Sequence, residues 1–539
     1  MPNLPLRGLG TIGVITDVSA YDLPENAWTA ARNIRFQDEA VTRSPIFKPF
    51  NTAQDFTSPP ILVVDDSLRS TTKVITTLRA NGTLTRLSEG LVSNASPSPV
   101  IDAPIGNPTH VIAGGVSYIN TPNNVPIAYA FGETVYSRIP NWVSTDRCES
   151  LRKFKDFLIA INVTKASNSF PNMVKWSDAI QAGTRPRWDP ALEDGLAGEN
   201  TLNDSTGFLV DGMELGSYFM VYGSKEVWRM VYIGGDFVFS SEKVFSDFSI
   251  MTQNCVLESN AKHYVFCEDD IVVTDGITKE SICDKRVKTH IFGSLDYSKR
   301  DRCRVIANTA HGEILFCYPS SSSSAAIEAG DYGCNEAAVF NTTNNTWTFI
   351  DLPNVTSGAE AGHPTGSISS AKTWAGLATW NSLKINWNFT TASPMTLILS
   401  AENGQSGKKG NVYFYDEDMG GRIDNPADDD VFWPAWCEKR LTDFDSIGLA
   451  LTDLKLLDEF VPQVTTQDSG QFVNFQFSGD MNNRFESNWK PPQVFNPNTS
   501  YKLNPRITGR YISIRMEIPK GVSAKMSGCD LKLSKIASR

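Results

Sequence analysis

Tyr218-Phe219-Met220-Val221-Tyr222, Val227-Trp228-Arg229-Met230-Val231-Tyr232 and Phe237-Val238-Phe239 are three short β-branched and aromatic runs, parted by Gly223-Ser224 and Gly234-Gly235-Asp236. Runs of this length and composition are strands, and glycine and aspartate supply the backbone freedom that a reversal needs. An antiparallel meander is the reading. Residues 74–78 and 83–87 flank Asn81-Gly82, a pair suited to the positive φ of a type I′ hairpin.

The same grammar continues along the chain. Residues 264–267 turn at Glu268-Asp269-Asp270 into 271–274, and residues 337–340 turn through 341–345 into 347–350. Hairpins recurring at such intervals match propeller blades of about 40–50 residues with insertions. The expected fold is all-β: a β-propeller with inserted loops and an additional C-terminal β unit, with a set of β-sandwiches as the competing arrangement. The C-terminal unit is read from about Glu438 onward, where longer alternating strands such as 472–477 and 512–518 have one apolar and one wet face. Helical signals are confined to residues 24–28, opened by Pro24, and to 371–383. Ser320 to Ser324 and residues 403–410 read as exposed loops.

The 539 residues carry 49 Lys and Arg against 60 Asp and Glu, a formal charge of -11. An acidic chain repels a phosphate backbone, which disfavours sequence-reading DNA binding but suits a wall past which DNA slides. Nine cysteines are scattered without a CxxC pair, so neither a disulfide framework nor a zinc site is expected, and buried reduced thiols are. The N-terminus lacks a basic leader with an apolar run, and no stretch of 18 apolar residues offers a membrane span. Assembly in a reducing cytoplasm fits these features.

Chemical motifs are sparse. Gly8-Leu9-Gly10-Thr11-Ile12-Gly13 matches the dinucleotide fingerprint as a string, but no strand is expected before it and no βαβ unit around it, so the glycines are assigned to a tight turn. The acidic stretch Asp416, Glu417, Asp418, Asp424, Asp428, Asp429 and Asp430 is the best cation candidate. It departs from a calcium loop at its fifth position, Gly420, and its twelfth, Ala427, so a solvated, interface or lumen-facing loop is preferred. His110, His263, His290, His311 and His363 have no metal-binding spacing, and neither a GxSxG elbow nor a Walker loop occurs. No catalytic, cofactor or metal residue is assigned. A glycosidase needs only two carboxylates, which composition leaves open. Ser177-Asp178 through Gly183 to Trp188 is similar to the structural turn of sialidase propellers, with different spacing. Trp176, Trp188, Trp228, Trp347, Trp374, Trp380, Trp387, Trp433 and Trp436 are read as packing residues before a saccharide surface.

Several segments in order resemble the tail nozzle proteins of podoviruses, the tail tubular protein B-like family. The most specific is LGTIGVITDVSAYDLPENAWTAARNIRFQDEAVTRSP, with Asp17, Leu23-Pro24, Trp28 and Asn33 to Phe36. MVKWSDAIQAGTRPRWDP, the strands from 214 to 245, YVFCEDDIVVTDGITKESICDKRV, GEILFCYPS and CNEAAVFNTTNNTWTFIDLPN look like successive propeller strands of that family. EKRLTDF, RITGRYISIRMEI and MSGCDLKL look like its end. The resemblance implies a structural subunit of a homohexameric ring at the distal end of the virion tail, assembled in the host cytoplasm. It also implies contacts with the tail adaptor ring and with tail fibres or spikes, and DNA passing without sequence-specific binding. Residues 1–50 are then an N-terminal segment completing the propeller or contacting the adaptor, 51–400 the propeller core with insertions, 401–437 an acidic loop insertion and 438–539 the C-terminal β unit, either separate or closing the propeller. The enzymatic alternative is a tail-associated carbohydrate-binding protein or glycosidase with a propeller fold.

Overall fold

A computed structural model of the chain describes residues 3–49, 56–68, 74–88, 91–191, 194–235, 237–322, 325–362, 395–402, 410–415, 433–442, 444, 448–466, 469–482 and 487–538. The architecture is all-β, with antiparallel sheets throughout. Five consecutive four-stranded meanders occupy 60–94, 109–138, 147–201, 209–245 and 256–281. A seven-stranded sheet follows at 304–415 and takes Phe47–Pro49 as its last strand, paired with Asn411–Tyr415. Its 17-residue strand Thr346–Gly362 shifts register near Val355. The early part pairs with Cys334–Asn341 and the later part with Met395–Ala401, so the sheet behaves as two halves sharing one strand.

The turns expected from sequence are present. Ile75–Arg79 pairs with Leu84–Ser88 across Gly82 at φ 85°, and Tyr218–Gly223, Val227–Tyr232 and Phe239–Phe245 form consecutive strands. Many of these strands are buried without alternation because sheets cover both their faces, as in Phe157–Ala160 and Cys334–Asn341.

The sheets pack in cyclic succession. Leu62, Val64 and Leu84 of the first meander meet Ile119, Ile127 and Tyr136 of the second. Tyr118 and Ala128 meet Leu151, Leu158 and Val163 of the third, whose Phe154, Ile159 and Trp176 meet Phe219, Val221 and Trp228 of the fourth. Met220 and Tyr222 continue into Val265 and Phe266 of the fifth, and these into Phe316 of the seven-stranded sheet. Leu315, Val339, Leu397 and Tyr413 join that sheet's halves, and Ile398, Val412 and Phe414 then pack on Val63, Ile75 and Leu87 of the first meander.

A second body is built from both chain ends. One of its sheets has the order Ile34–Gln37, Ala40–Arg43, Ala524–Ser538, Asp453–Thr466, Ile507–Gly509, with Asn3–Arg7 also on Ala524–Ser538. The other has the order Ala30–Arg32, Ala435–Thr442, Tyr511–Ile518, Val473–Asp480, Gln493–Phe495. Alternation in Val473–Asp480 turns Phe475 and Phe477 inward against Phe460 of the facing sheet, with ring centroids 5.0 and 5.2 Å apart. The described strands of the first 43 residues thus pair with strands of the last 105 or with each other, and among the described N-terminal strands only Phe47–Pro49 is part of a sheet of the cycle.

Several expectations need correction. No helix forms at 24–28: a single 3-10 turn lies at Ala20–Asp22, and the Pro24 and Ala27 carbonyls accept from Lys439 Nζ at 2.7 and 3.2 Å. The one α-helix among the described residues is Lys288–Ser294, with the Thr289 N–H donating to the Asp17 carboxylate. Within 401–437, Asn411–Tyr415 is a fully buried strand, and Ala435–Thr442 starts before residue 438. Residues 371–383 and most of 403–410 lie outside the described residues.

Candidate functional site

The residues of the opening segment converge where the two bodies meet. Asn33 has φ 58°, a left-handed kink that asparagine tolerates, and it divides Ala30–Arg32 from Ile34–Gln37 so that each joins a different sheet. Its N–H donates to Phe349 O at 2.8 Å, and its side chain donates to Asp351 Oδ2 at 2.8 Å and accepts from the Asp351 N–H at 2.9 Å. Arg35 grips Glu313 side-on, Nε to Oε1 at 2.6 Å and Nη2 to Oε2 at 2.7 Å, and Asn308 also donates to that carboxylate. Arg32 Nη1 lies 2.9 Å from Glu336 Oε1 and 3.5 Å from Asp351 Oδ1.

All five charged groups of this seam are buried. Burial opposes ionisation of Glu336, but His290, Arg32 and the Tyr318 hydroxyl outweigh it and hold its carboxyl at about 2. For Asp351 burial wins over Arg32 and Asn33, and its pKa is raised. Burial lowers the Arg32 pKa, yet Glu336 and Asp351 raise it on balance. Glu336 and Asp351 are a carboxylate pair of the kind a glycosidase needs, but their side chains are 0% and 4% exposed and are committed to Arg32, so a saccharide does not reach them.

A second polar network ties non-neighbouring sheets together. Asn107, before the second meander, donates to Thr252 Oγ1 at 3.2 Å and to Asp301 O, and accepts from Arg304 of the seven-stranded sheet at 3.5 Å. Arg152 of the third meander holds Asp211 of the fourth bidentately at 2.7 and 2.6 Å and donates to Asn254 Oδ1 at 2.9 Å. Asn254 returns to Pro108 O at 3.0 Å. The lead-ins of the second, fifth and seven-stranded sheets are thereby bonded across the cycle.

Asp416, Glu417, Asp418, Asp424, Asp428, Asp429 and Asp430 lie outside the described residues, as do His363, Trp374, Trp380 and Trp387. Trp176, Trp188, Trp228 and Trp347 are buried, and Trp188 meets Trp142 edge-on at 4.7 Å, which places them in packing. Trp433 packs against the seven-stranded sheet, and Arg515 sits 4.5 Å over Trp436. A strand, Asn3–Arg7, does precede Gly8, but no helix of the dinucleotide type follows. Gly8 and Gly13 have φ of 62° and 77°, and a Cβ on Gly10 would fall 2.4 Å from Ala40 O. In the sialidase-like turn, Asp178 is clamped by Arg187 at 2.6 Å and Ser177 Oγ caps the Leu158 N–H, both structural contacts.

Among the described residues no group of three or more His, Cys, Asp and Glu is placed to hold a metal ion, and no helix is long and apolar enough to cross a membrane. All nine cysteines are buried and unpaired. No role was assigned by sequence to the seam residues Arg32 and Arg35 or to the cross-cycle residues Asn107, Arg152 and Arg304; the two arginines flanking Asn33-Ile34 in a largely apolar stretch were the available signal. No protein-family model matches the chain, and no curated protein matches it.

Proposed function

We propose that the five meanders and the two halves of the seven-stranded sheet are the blades of a β-propeller, and that the chain is a structural tail nozzle subunit of a short-tailed bacteriophage. The observation that carries the reading is the layout of the chain. Sheet packing returns on itself, while both chain ends are committed to a second body joined to it through buried ion pairs. Such a subunit presents rigid, non-identical side faces, which is what a heterologous interface closing into a ring requires. The ordered sequence resemblance adds the specific identity.

In this reading six copies form a homohexamer at the distal end of the virion tail, seated on the adaptor ring and carrying fibres or spikes. The formal charge of -11 favours DNA passage over DNA recognition. The hydrogen bonds crossing the sheet cycle at Asn107, Asn254 and Arg304 favour a DNA path between subunits over one through the cycle of a single chain. The subunit acts as a wall, with no chemistry assigned to it.

Mass photometry of the purified chain tests this. Six copies of the 59.4 kDa chain give a species of about 356 kDa that cleaves no glycan. A trimer that binds or cleaves a saccharide overturns it.

A further inference from the structure

The first and second meanders meet differently from the other neighbours in the cycle. Leading strands of adjacent sheets lie against one another: Thr109–Ala113 on Arg147–Phe154, that on Leu209–Leu215, and so around to Thr346–Gly362 on Pro60–Asp65. No comparable contact joins Pro60–Asp65 to Thr109–Ala113. The apolar contacts between these two meanders, through Leu62, Leu78, Ile119 and Ile127, are joined by a buried polar row.

That row follows from strand register. Val64 stands opposite Thr76, Thr76 opposite Arg86, and Asp66 extends the row two residues beyond Val64. Asp66 Oδ2 accepts from the Tyr136 hydroxyl at 2.5 Å, that hydroxyl oxygen accepts from the Ser117 hydroxyl at 3.0 Å, and Ser117 Oγ in turn meets His110 Nε2 at 3.0 Å. Asp66 and Arg86 reach the same short segment of the second meander, Asp66 at the Tyr136 hydroxyl and Arg86 at Thr134 O two residues before it. Arg86 is held in place, with Nη1 donating to Thr134 O at 3.1 Å and its guanidinium 4.2 Å over the Tyr129 ring.

Four buried atoms of this row have no hydrogen-bond partner within the protein: Asp66 Oδ1, Thr76 Oγ1, Arg86 Nε and Arg86 Nη2. Unpaired buried polar atoms are costly and rare in native interiors. The set contains an anionic acceptor, a hydroxyl and the two donors of a guanidinium edge. Asp66 repels an anionic guest, Arg86 repels a cationic one, and neither tolerates an apolar one. Water meets every demand, accepting from Arg86 while donating to Asp66 and Thr76. We propose that ordered water lies between the first and second meanders and bridges Asp66 and Thr76 to the Nε–Nη2 edge of Arg86.

An experimental map of the full chain, detailed enough to resolve ordered water, tests this. The expected result is at least one discrete peak within hydrogen-bond distance of Asp66 Oδ1 and of Thr76 Oγ1 or Arg86. Arg86 bonded directly to Asp66 with no peak between them overturns the proposal, and so does density too large for water, which assigns the position to a solute. In a Thr76→Val variant, equal in shape, the peak beside residue 76 is lost or displaced; an unchanged peak also overturns the bridge.

Discussion

The sheet cycle and the two-sheet body use the same kind of strand but opposite spans of chain. In each meander a strand pairs with the one that precedes or follows it, across turns such as Asn81-Gly82. In the two-sheet body Asn3 pairs opposite Lys532, Thr42 opposite Lys525 and Arg32 opposite Trp436. The cycle is therefore assembled from local hairpins, while the second body waits for the last residues of the chain. Loop closure over such distances is slow, so the cycle is expected to fold first.

The largest effect is expected where the two regions meet. Arg35→Ala strands the buried Glu313 carboxylate and should cost about 3–5 kcal/mol in denaturant unfolding. The two-sheet body should then melt separately from the cycle; a single unchanged transition contradicts the seam. Next comes acid. His263 lies buried between the Tyr222 hydroxyl and Glu214 O, and burial pulls its pKa from 6.5 to about 4. The unfolded chain takes up this proton first, so stability is full above 6.5 and falls between pH 6.5 and 4, by about 3 kcal/mol at most. Glu336 at the seam has the opposite behaviour, its contribution present above 4.5 and lost only as pH falls towards about 2. Acid should thus loosen the cycle before the seam, and a His263→Gln variant should flatten the first loss.

Smaller effects sharpen the contrast. Gly82→Ala places a Cβ 2.3 Å from Ile101 O at φ 85° and should cost about 1–3 kcal/mol, confined to the first meander by hydrogen exchange. Lys532→Ala breaks a surface contact with Glu459, which Lys502 also pairs, and should lower stability least of all, with the loss shrinking further at high salt.

The same contrast explains what was legible. Hairpins at 75–88, 218–232 and 334–350 were readable because the turn and both strands lie within one short window. Nothing local in Ala435–Thr442 announces pairing with Ala30–Arg32, so the first 43 residues were not read as part of the C-terminal unit. The helix at Lys288–Ser294 escaped because its carboxylate partner, Asp17, stands about 270 residues earlier. Conversely, the helix signal at Pro24 failed because Lys439 takes its carbonyls. The seam was hidden for a like reason: Arg32 and Arg35 find their acids some 300 residues on.

A cryo-EM reconstruction of the assembled protein, alone or seated on the ring above it, tests the central claim most directly. The account predicts six-fold symmetry, seven blades around one axis in each subunit, and the two-sheet body fixed to the blades at Arg32 and Arg35. Subunits whose sheets form an open row, with 60–65 far from 355–362, or an assembly without six-fold symmetry, would contradict it.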